Sequence, residues 1–297
     1  MTTSTARTDA APAVAVIGLG EMGAAVAAAF LDGGHATTVW NRTPDRGDAL
    51  VARGAERSAT VRDAVAAGDL VVVSVKGNAV ARELLASAGA ALAGRTVVNL
   101  TDGTSAEVRE LAQWVTEQGA EYLHGQIMTI APGVGHPEAV VFYGGAQAVY
   151  DRYQSALGLL GGRATLVAAD PGVPVLYGMA VHGTMWGLLN GFLHAAAVLS
   201  SEGLPVRQFL ERADASMSAL MAFLPSIAEC VDRGEHAVEY GALKHHLPSV
   251  EDLVRESRAR GVDDDLPGST LALVRRAVAD GHADDNYSWL VEHFRGR

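Results

Sequence analysis

The chain has 297 residues, of which 49% are hydrophobic and 19% are charged, and its formal net charge at pH 7 is -11. This length can bury a substantial core, and we expect two domains of ordinary size rather than one large domain. The acidic balance argues against nucleic acid or an anionic membrane surface as the main partner, because both attract basic patches. The single cysteine, Cys230, excludes an intrachain disulfide and a thiolate metal cluster, which fits a reducing cytoplasm.

The sequence shows no pattern typical of a secretory signal or a membrane span. The opening MTTSTARTDAAPA contains no hydrophobic signal core, and the longest apolar stretch, residues 175–200, is interrupted by His182, Asn190 and His194. We therefore expect a cytoplasmic protein that binds no membrane, with a short disordered tail over residues 1–12.

Short β-branched runs alternate with alanine-rich helical stretches from Val14 onward. The runs VAVIG and ATTVWN alternate with EMGAAVAAAFLDGG and DRGDALVARG, which predicts a βαβα unit. LVVVSV over residues 70–75 and TVVNL over residues 96–100 predict two further strands, with a helix over residues 79–88 between them. Such runs, apolar on both faces, are typical of a parallel sheet covered on both sides. EVRELAQWVTEQG, YLHGQI and AVVFYGG continue the pattern to about residue 145.

The pattern becomes helical beyond Pro171. Residues 175–200 form one long apolar segment of helix formers without proline, and most of the remaining sequence has helical periodicity. The Asp-Pro-Gly turn at residues 170–172 marks the change. We therefore predict an α/β domain over residues 13–170 and an all-α domain over residues 171–297.

A glycine-rich turn follows the first predicted strand. Gly18, Gly20 and Gly23 form the pattern GxGxxG between the strand VAVI and the start of a helix. In this context the first glycine permits a tight turn, the second lets the backbone approach a pyrophosphate, and the third lets the helix pack on the strand. The helix N-terminus adds free N–H groups and a partial positive charge. We expect a Rossmann dinucleotide site whose loop consists of Gly18, Leu19, Gly20, Glu21 and Met22.

The residues after the second predicted strand indicate which dinucleotide binds. NAD-binding proteins usually carry an acidic residue here for the ribose hydroxyls, whereas this chain has Asn41, Arg42 and Thr43, with Arg46 one turn further on. A carboxylate would repel a 2′-phosphate, but guanidinium groups and a hydroxyl bind it through charge-assisted hydrogen bonds. NADPH is therefore the predicted cofactor.

Further residues follow the next strands of the predicted sheet. A doubly wound sheet binds its ligand at the carboxyl ends of its strands, so these residues are expected to flank the nicotinamide half of the cofactor. Lys76 either approaches a phosphate or is simply solvated, and both interpretations stay open. The predicted contacts in this group are Ser74, Val75, Lys76, Asn99, Thr101 and Ile127.

Five segments together resemble the NADPH-dependent imine reductase and reductive aminase family of the β-hydroxyacid dehydrogenase-like superfamily. They are GLGEMG, VWNRT, NLTDGT, IMTIAPGVGHPEAVVFYGG and LYGMAVHGTMWGLLNGFLHAAAVL, and the last two narrow the match to the family. The resemblance implies an α/β Rossmann domain followed by an all-α C-terminal domain, joined by a long interdomain helix. It also implies a homodimer with exchanged helices, in which each active site lies between the nucleotide domain of one subunit and the helical domain of the other.

The activity that the resemblance implies is NADPH-dependent reduction of imines or iminium ions to amines by hydride transfer, with reductive amination left open. Related β-hydroxyacid dehydrogenases use a lysine on the interdomain helix as acid and base, but the only lysines here, Lys76 and Lys244, lie elsewhere. A carbonyl or 3-hydroxyacid oxidoreductase is therefore the disfavoured alternative. A non-catalytic NADPH-binding sensor is a third hypothesis.

The proton donor that the resemblance implies is missing. Imine reductases usually carry an aspartate, tyrosine or asparagine on the long helix in the setting LYD, where this chain has Leu176, Tyr177 and Gly178. Helical geometry places residues 178, 182 and 186 on one drifting stripe. We hypothesise that His182, one turn after a space left at Gly178, donates the proton or orients the substrate. Tyr177 is the second catalytic candidate.

Two alternatives to a catalytic His182 stay open. His182 is also interpretable as a core histidine bonded to a carbonyl group. Imines of basic amines are largely protonated near neutral pH, and an iminium ion needs only the hydride, in which case Gly178 would simply enlarge the pocket.

Further substrate contacts are expected along the helical half. Trp186 offers a flat apolar wall and cation–π stabilisation of an iminium ion, and His245 and His246 precede the next helical segment where the resemblance places pocket residues. Adjacent histidines cannot easily face one ion, so no metal is expected. Asp102 either orients the substrate or caps the helix that follows NLT, and capping by Asp102 or Ser105 is the expected role. The predicted substrate contacts are Gly178, Met179, Trp186, Met217, His245 and His246.

Overall fold

A computed structural model describes residues 11–238 and 241–296, so most of the predicted tail lies outside the described residues. The chain divides into two compact units, Met1–Gly183 and Thr184–Arg297. The division falls inside a long helix. The domain boundary predicted from the turn at residue 170 lies just before that helix and stays a prediction.

One sheet forms the frame of the first unit. Its strands among the described residues are β1 (Val14–Ile17), β2 (Thr37–Trp40), β3 (Glu56–Arg57), β4 (Leu70–Val73), β5 (Thr96–Asn99), β6 (Glu121–Ile127), β7 (Val140–Gly145) and β8 (Arg163–Ala168). They are ordered β3-β2-β1-β4-β5-β6-β7-β8, and all neighbours are parallel except β6 and β7. The chain runs outward from β1 to β3 and returns to the other side of β1 for β4. The crevice at the carboxyl ends of β1 and β4 is therefore the topological switch point, where such sheets bind their ligands.

Apolar side chains bury both faces of the central strands. Successive side chains of a strand point to opposite faces, and Val72 joins one apolar cluster with Phe30, whereas Val71 joins a second cluster with Leu85. Burying each such side chain stabilises the fold by about 1.5–3 kcal/mol. The parallel arrangement predicted from these runs is confirmed for β1, β4 and β5. The helices of this unit are α1 (Glu21–Asp32), α2 (Asp48–Val51), α3 (Val61–Ala67), α4 (Asn78–Ala88), α5 (Ser105–Glu117) and α6 (Gln147–Leu157).

The sheet departs from the repeating pattern after β6. The connection over residues 128–139 contains only a short 3₁₀ turn, Ala131–Gly133, whereas a parallel neighbour needs a longer crossover, usually with a helix. β7 therefore returns antiparallel to β6, with Gln126 opposite Phe142. The sequence pattern locates both strands but not their direction, and it does not predict α6 or β8.

The second unit is helical throughout its regular structure in the described residues. Helix α7 (Val173–Ser200) continues into it from the first unit, and α8 (Val206–Arg233), α9 (Leu243–Ala259), α10 (Asp265–Ala277) and α11 (Val291–Phe294) follow. A small core contains Leu243, Val274 and Leu290. His245 and His246 lie in the first turn of α9 rather than before it, so that part of the prediction is wrong. The predicted all-α half is confirmed.

Helix α8 has an unusual exposure for its composition. By length and composition alone, it is the one helix among residues 11–238 and 241–296 that is apolar enough to cross a membrane, with a mean hydropathy of 1.2 over 18 residues. Core helices of globular proteins meet the same criterion. None of that stretch is buried within a single chain, so α8 presents apolar side chains that the isolated chain leaves uncovered.

Candidate cofactor and substrate site

The glycine turn lies at the carboxyl end of β1, beside the end of β4. Gly18 has a φ of +96°, which residues with a side chain rarely adopt, and a Cβ there would overlap the carbonyl oxygen of Ser74. A Cβ on Gly23 would overlap the carbonyl oxygen of Gly18. These two glycines are therefore needed to close the turn and to seat α1 on it.

Gly20 has the opposite environment. A Cβ on Gly20 would meet no atom within 4 Å, and Gly20 supplies no side-chain cap to α1, which begins at Glu21. The first N–H groups of a helix have no partner inside the helix, so the open space beside Gly20 lies where a phosphate accepts backbone hydrogen bonds. The residues of this turn therefore fit the dinucleotide that their pattern predicts.

Asn41 links the glycine turn to the segment after β2. Its Oδ1 accepts a hydrogen bond from the Leu19 N–H at 3.0 Å, and its Nδ2 donates to the Thr43 carbonyl oxygen at 2.8 Å. The side chains of Arg42, Thr43 and Arg46 are exposed. Two guanidinium groups thus supply the local positive charge that an acidic protein needs to hold an anionic phosphate. The two hydrogen bonds of Asn41 stabilise the turn that carries these arginines.

Buried side chains tie the ends of β4, β5 and β6 together. Asn99 is fully buried, and its Nδ2 donates to the Asn78 Oδ1 at 2.8 Å and to the Tyr122 hydroxyl oxygen at 3.0 Å. The Thr101 N–H donates to the Asn99 Oδ1 at 3.1 Å, and the Thr101 Oγ1 accepts from the Val75 N–H at 3.2 Å. Burial raises the pKa of the Tyr122 hydroxyl, which therefore stays protonated. Through these buried hydrogen bonds, Asn99 and Thr101 connect the carboxyl ends of the strands, where ligands of this fold bind.

The other predicted cofactor residues lie along the same edge. Ser74 and Val75 are half-buried after β4, Lys76 is exposed, and Ile127 is half-buried at the end of β6. The first unit thus brings the predicted cofactor residues to neighbouring strand ends. Which of them touch NADPH stays a prediction.

A polar cluster that sequence reasoning missed lies at the end of β6. The Gln126 Nε2 donates a hydrogen bond to the Asp102 Oδ1 at 3.2 Å. His124 is fully buried, and its ring nitrogens have no hydrogen-bond partner among the described residues. Burial lowers the pKa of His124 to about 4, against the opposing influence of Gln126 and Asp102. The signal is in YLHGQI, where two polar residues at alternate positions of a strand share one face.

Thr104 caps α5. Its Oγ1 accepts a hydrogen bond from the Glu107 N–H at 3.3 Å, and the Glu107 Oε2 accepts from the Thr104 N–H at 2.7 Å, which completes a capping box. The prediction that Asp102 or Ser105 caps this helix is wrong, because Asp102 lies two residues before the cap and Ser105 is already helical. Asp102 instead presents an exposed carboxylate held by Gln126.

Gly178 lies on the buried face of α7. A Cβ on Gly178 would stand 2.6 Å from the Gln126 Cγ and 3.1 Å from its Cδ. The space that was expected beside Gly178 is therefore filled by the side chain of Gln126. The prediction that Gly178 leaves a space or enlarges a pocket is wrong, because side-chain atoms of β6 lie where a side chain of Gly178 would be.

Both catalytic candidates lie on α7 near Gly178. Tyr177 is 48% exposed, and its ring is tilted against that of Phe142 with centroids 5.3 Å apart. His182, one turn after Gly178, is half-buried, and Met179 is exposed. His182 is therefore not a fully buried core histidine. The catalytic roles of His182 and Tyr177 stay predictions.

Four predicted substrate contacts, Trp186, Met217, His245 and His246, belong to the second unit. Trp186 is 58% exposed, and the ring of His246 packs edge-on against Tyr287 with centroids 5.0 Å apart. Burial, and secondly the neighbouring His245, lowers the pKa of His246. In the part of the chain that the structure describes, no three His, Cys, Asp or Glu side chains are grouped as metal ligands. The substrate contacts and the absence of a metal stay predictions.

Comparison with known proteins identifies the family. The model of the NAD binding domain of 6-phosphogluconate dehydrogenase matches residues 13–168, and that of the NADPH-dependent reductive aminase-like C-terminal domain matches residues 170–296. The chain is 35% identical to the NADPH-dependent reductive aminase of Aspergillus oryzae over 95% of its own length and 97% of that of the relative. The chain belongs to the NADPH-dependent imine reductase and reductive aminase family.

Solved structures of family members agree with this assignment. A reductive aminase from Aspergillus terreus, in complex with NADPH4, cyclohexanone and allyl amine, is 34% identical with a TM-score of 0.86, covering 96% of this chain and 100% of its own. An imine reductase from Bacillus cereus is 35% identical with a TM-score of 0.89, covering 96% and 99%. The predictions of family, fold class and NADPH as cofactor are confirmed. As a member of this family, the chain is an NADPH-dependent oxidoreductase that acts on C=N bonds.

Proposed function

We propose that this reductive aminase family member reduces an imine or iminium ion to an amine, and that it accepts imines formed from a ketone and an amine. The observation that carries the proposal is the glycine turn, closed at Gly18 and Gly23 and open at Gly20, in a chain that matches reductive aminases along nearly its full length. A solved relative that binds a ketone and an amine supports the extension to reductive amination. When bound, NADPH supplies the hydride.

The proposed cofactor contacts divide into two groups. The loop from Gly18 to Met22 holds the pyrophosphate through its backbone, and Arg42, Thr43 and Arg46 hold the 2′-phosphate. Support comes from the open space beside Gly20 and from the exposure of both arginines. These contacts orient the cofactor at the strand ends where the side chains of the first unit converge.

The proposed proton donor for a neutral imine is His182. Hydride addition to the carbon of a neutral imine leaves a nitrogen that must gain a proton, whereas an iminium ion already carries it. His182 is half-buried on α7, one turn after Gly178, and histidine is the side chain that most often acts as a general acid or base. The Tyr177 hydroxyl is the second candidate because it is also accessible on α7.

The proposed function is tested by following NADPH absorbance with the cyclic imine 1-pyrroline, with small ketones alone, with a ketone plus an amine, and without substrate. We expect oxidation with the imine and with the ketone–amine pair, but not with the ketone alone. Oxidation by ketones alone would identify a carbonyl oxidoreductase, and no oxidation in any arm would identify a nucleotide-binding protein without this activity.

The role of His182 predicts a change in pH dependence. His182→Ala should reduce kcat more at high pH than at low pH, because a protonated substrate needs no donor. The measurement is a kcat profile between about pH 6 and pH 9, with Tyr177→Phe as the matched variant that removes the other donor. An unchanged profile in His182→Ala, together with a changed one in Tyr177→Phe, would transfer the role to Tyr177.

We also propose a homodimer with exchanged helices in the cytoplasm. Its support is the uncovered apolar surface of α8 and, for the location, the single free cysteine, Cys230. Apolar side chains that are exposed on α8 include Leu210, Met217, Leu220, Met221, Phe223 and Leu224.

A further inference from the structure

Position 178 and Gln126 share one space. Gly178 is buried on α7, Gln126 is only 9% exposed, and a Cβ on Gly178 would approach the Gln126 Cγ to 2.6 Å, its Cδ to 3.1 Å and its Nε2 to 3.4 Å. Carbon atoms at 2.6 Å overlap strongly. A side chain at position 178 and a glutamine at position 126 therefore exclude one another in this arrangement.

Both the backbone and the side chain of Gln126 have partners. It lies near the end of β6, where it is paired with Phe142 of β7, and the preceding residues of β6 pair with β5 on the other side. Its carboxamide Nε2 donates to the Asp102 Oδ1 at 3.2 Å. The main chain of Asp102 is also anchored, because its carbonyl oxygen accepts a hydrogen bond from the Asn78 Nδ2 at 3.4 Å. Gln126 thus fixes one carboxylate oxygen of a residue whose backbone is already held.

The Asp102 carboxylate has no positive partner in this cluster. Asp102 forms no salt bridge with any residue of the described ranges, and the pKa of buried His124 is lowered to about 4, so that His124 is neutral at physiological pH. Arg109 of α5 is paired with Asp170. Asp102 is exposed at the carboxyl edge of the sheet, where ligands of this fold bind. An exposed, oriented and unneutralised carboxylate is suited to bind a cation.

We propose that Gln126 is a positioning residue, and that the Asp102 carboxylate which it orients binds the cationic nitrogen of the iminium ion or amine. The inference rests on the proposed function and names its substrate class, since a fixed carboxylate favours protonated nitrogen compounds over neutral ketones. In this chain the loop after β5 supplies a carboxylate for binding the cationic nitrogen, whereas Gly178 of α7 supplies no side chain. Glycine at position 178 leaves the space that the Gln126 side chain occupies.

The role of the negative charge of Asp102 is tested by ligand binding and by kinetics. Asp102→Asn should weaken the binding of protonated pyrrolidine to the NADP⁺ complex about tenfold to a hundredfold, as expected for hydrogen bonds to charged groups. It should raise KM for 1-pyrroline similarly while NADPH affinity stays within about twofold. Calorimetric binding of pyrrolidine does not require turnover, so failure of the proposed activity and failure of this inference are separable. Unchanged pyrrolidine affinity in Asp102→Asn would overturn the inference.

The positioning role is tested by a double-mutant cycle. Gln126→Ala should weaken pyrrolidine binding several-fold in the parent protein and have little effect in the Asp102→Asn background, because it acts through the carboxylate. An equal effect of Gln126→Ala in both backgrounds would contradict a role through Asp102. Gln126→Glu, nearly identical in size but anionic, should shift the pH dependence of KM, whereas a purely structural role would leave that dependence unchanged.

The shared space is tested by stability, independently of any ligand. Gly178→Ala should lower the melting temperature of the parent protein, but raise it by a few degrees in the Gln126→Ala background, where the overlap is gone. Gly183→Ala is the matched control on the same helix, because a Cβ there meets no atom within 4 Å. Equal effects of Gly178→Ala in both backgrounds would contradict the shared space. The triple variant Asp102→Asn, Gln126→Ala, Gly178→Asp should regain pyrrolidine affinity, since the carboxylate returns from the helix side.

Discussion

The three glycines of the turn after β1 differ in the space available for a side chain. A side chain on Gly18 or Gly23 would overlap backbone atoms, whereas one on Gly20 would enter open space. Folding of the turn therefore requires glycine at positions 18 and 23, whereas binding of the ligand requires it at position 20. The pattern GxGxxG therefore combines a folding constraint with a binding constraint. The atoms that an added Cβ would meet show which constraint applies at each glycine.

The first prediction at the residue scale compares two alanine substitutions. Gly20→Ala should leave the melting temperature of the free protein within about 2 °C of the parent value, but weaken NADPH binding by tenfold or more, on the order of 1.4 kcal/mol. Gly23→Ala should lower the melting temperature itself, because its Cβ overlaps the Gly18 carbonyl oxygen. Thermal unfolding with and without NADPH measures both effects. Normal NADPH affinity in Gly20→Ala would contradict the assignment of the open space to the phosphate.

The second prediction concerns the arginines after β2. Arg42→Ala should raise the Kd for NADPH about tenfold while changing the Kd for NADH by less than about twofold, because only NADPH carries the 2′-phosphate. Fluorescence titration of both cofactors gives the ratio. Arg53→Ala removes an arginine that is paired with Asp32 and serves as the control, for which no change in the ratio is expected. An equal loss of affinity for both cofactors would place Arg42 away from the 2′-phosphate.

At the scale of the element, strand β6 buries a titratable group. His124 is fully buried, and its pKa falls from an ordinary value of 6.5 to about 4, chiefly through burial. A histidine with a lowered pKa in the folded state binds more protons after unfolding. The free energy of unfolding should therefore fall as the pH drops below about 6.5, and this loss should be complete below about pH 4.

The third prediction follows from this shift. Between about pH 7.5 and pH 5, His124 should account for a loss of about 2 kcal/mol in the free energy of unfolding of the parent protein. His124→Phe should abolish that share, as measured by urea unfolding at both pH values. His136→Gln, which removes an exposed histidine, should retain the parental dependence. Parallel pH dependences of His124→Phe and the parent would contradict the assignment to His124.

Elements are predictable from the sequence where the cause is local. The runs VAVI and LVVV, the glycine turn and the long helix α7 each follow from patterns within a few residues. The direction of β7 is set by the lack of a crossover helix, and the cap of α5 by which of several small polar residues reaches the Glu107 N–H. The contact of Gln126 with Gly178 joins positions far apart in the chain, and no local pattern in a single sequence indicates it.

At the scale of the whole molecule, α8 carries an apolar stripe without a cover in one chain. Met217, Leu220, Met221 and Leu224 recur at helical spacing and are each at least 36% exposed. A contiguous apolar surface on a soluble protein usually marks an interface. The stripe includes Met217, which the family resemblance places among the substrate contacts. A second copy of the chain is the proposed cover.

The fourth prediction is the oligomeric state. Light scattering after size exclusion should give twice the chain mass of 30.9 kDa. The double variant Leu220→Glu, Leu224→Glu should shift the protein to the mass of one chain, because burying two carboxylates in an apolar interface is costly. Arg212→Glu, which changes the charge of α8 by the same amount outside the stripe, should remain dimeric. A parent protein with the mass of one chain would contradict the proposed dimer.

The overlap between a Cβ at position 178 and the side chain of Gln126 also bears on directed evolution. In a library that randomises position 178 alone, almost every new side chain would overlap Gln126. Most of the variants should therefore be destabilised. The productive route changes position 126 to a small residue first, or varies both positions together. Directed evolution of this protein should therefore treat positions 126 and 178 as one coupled unit.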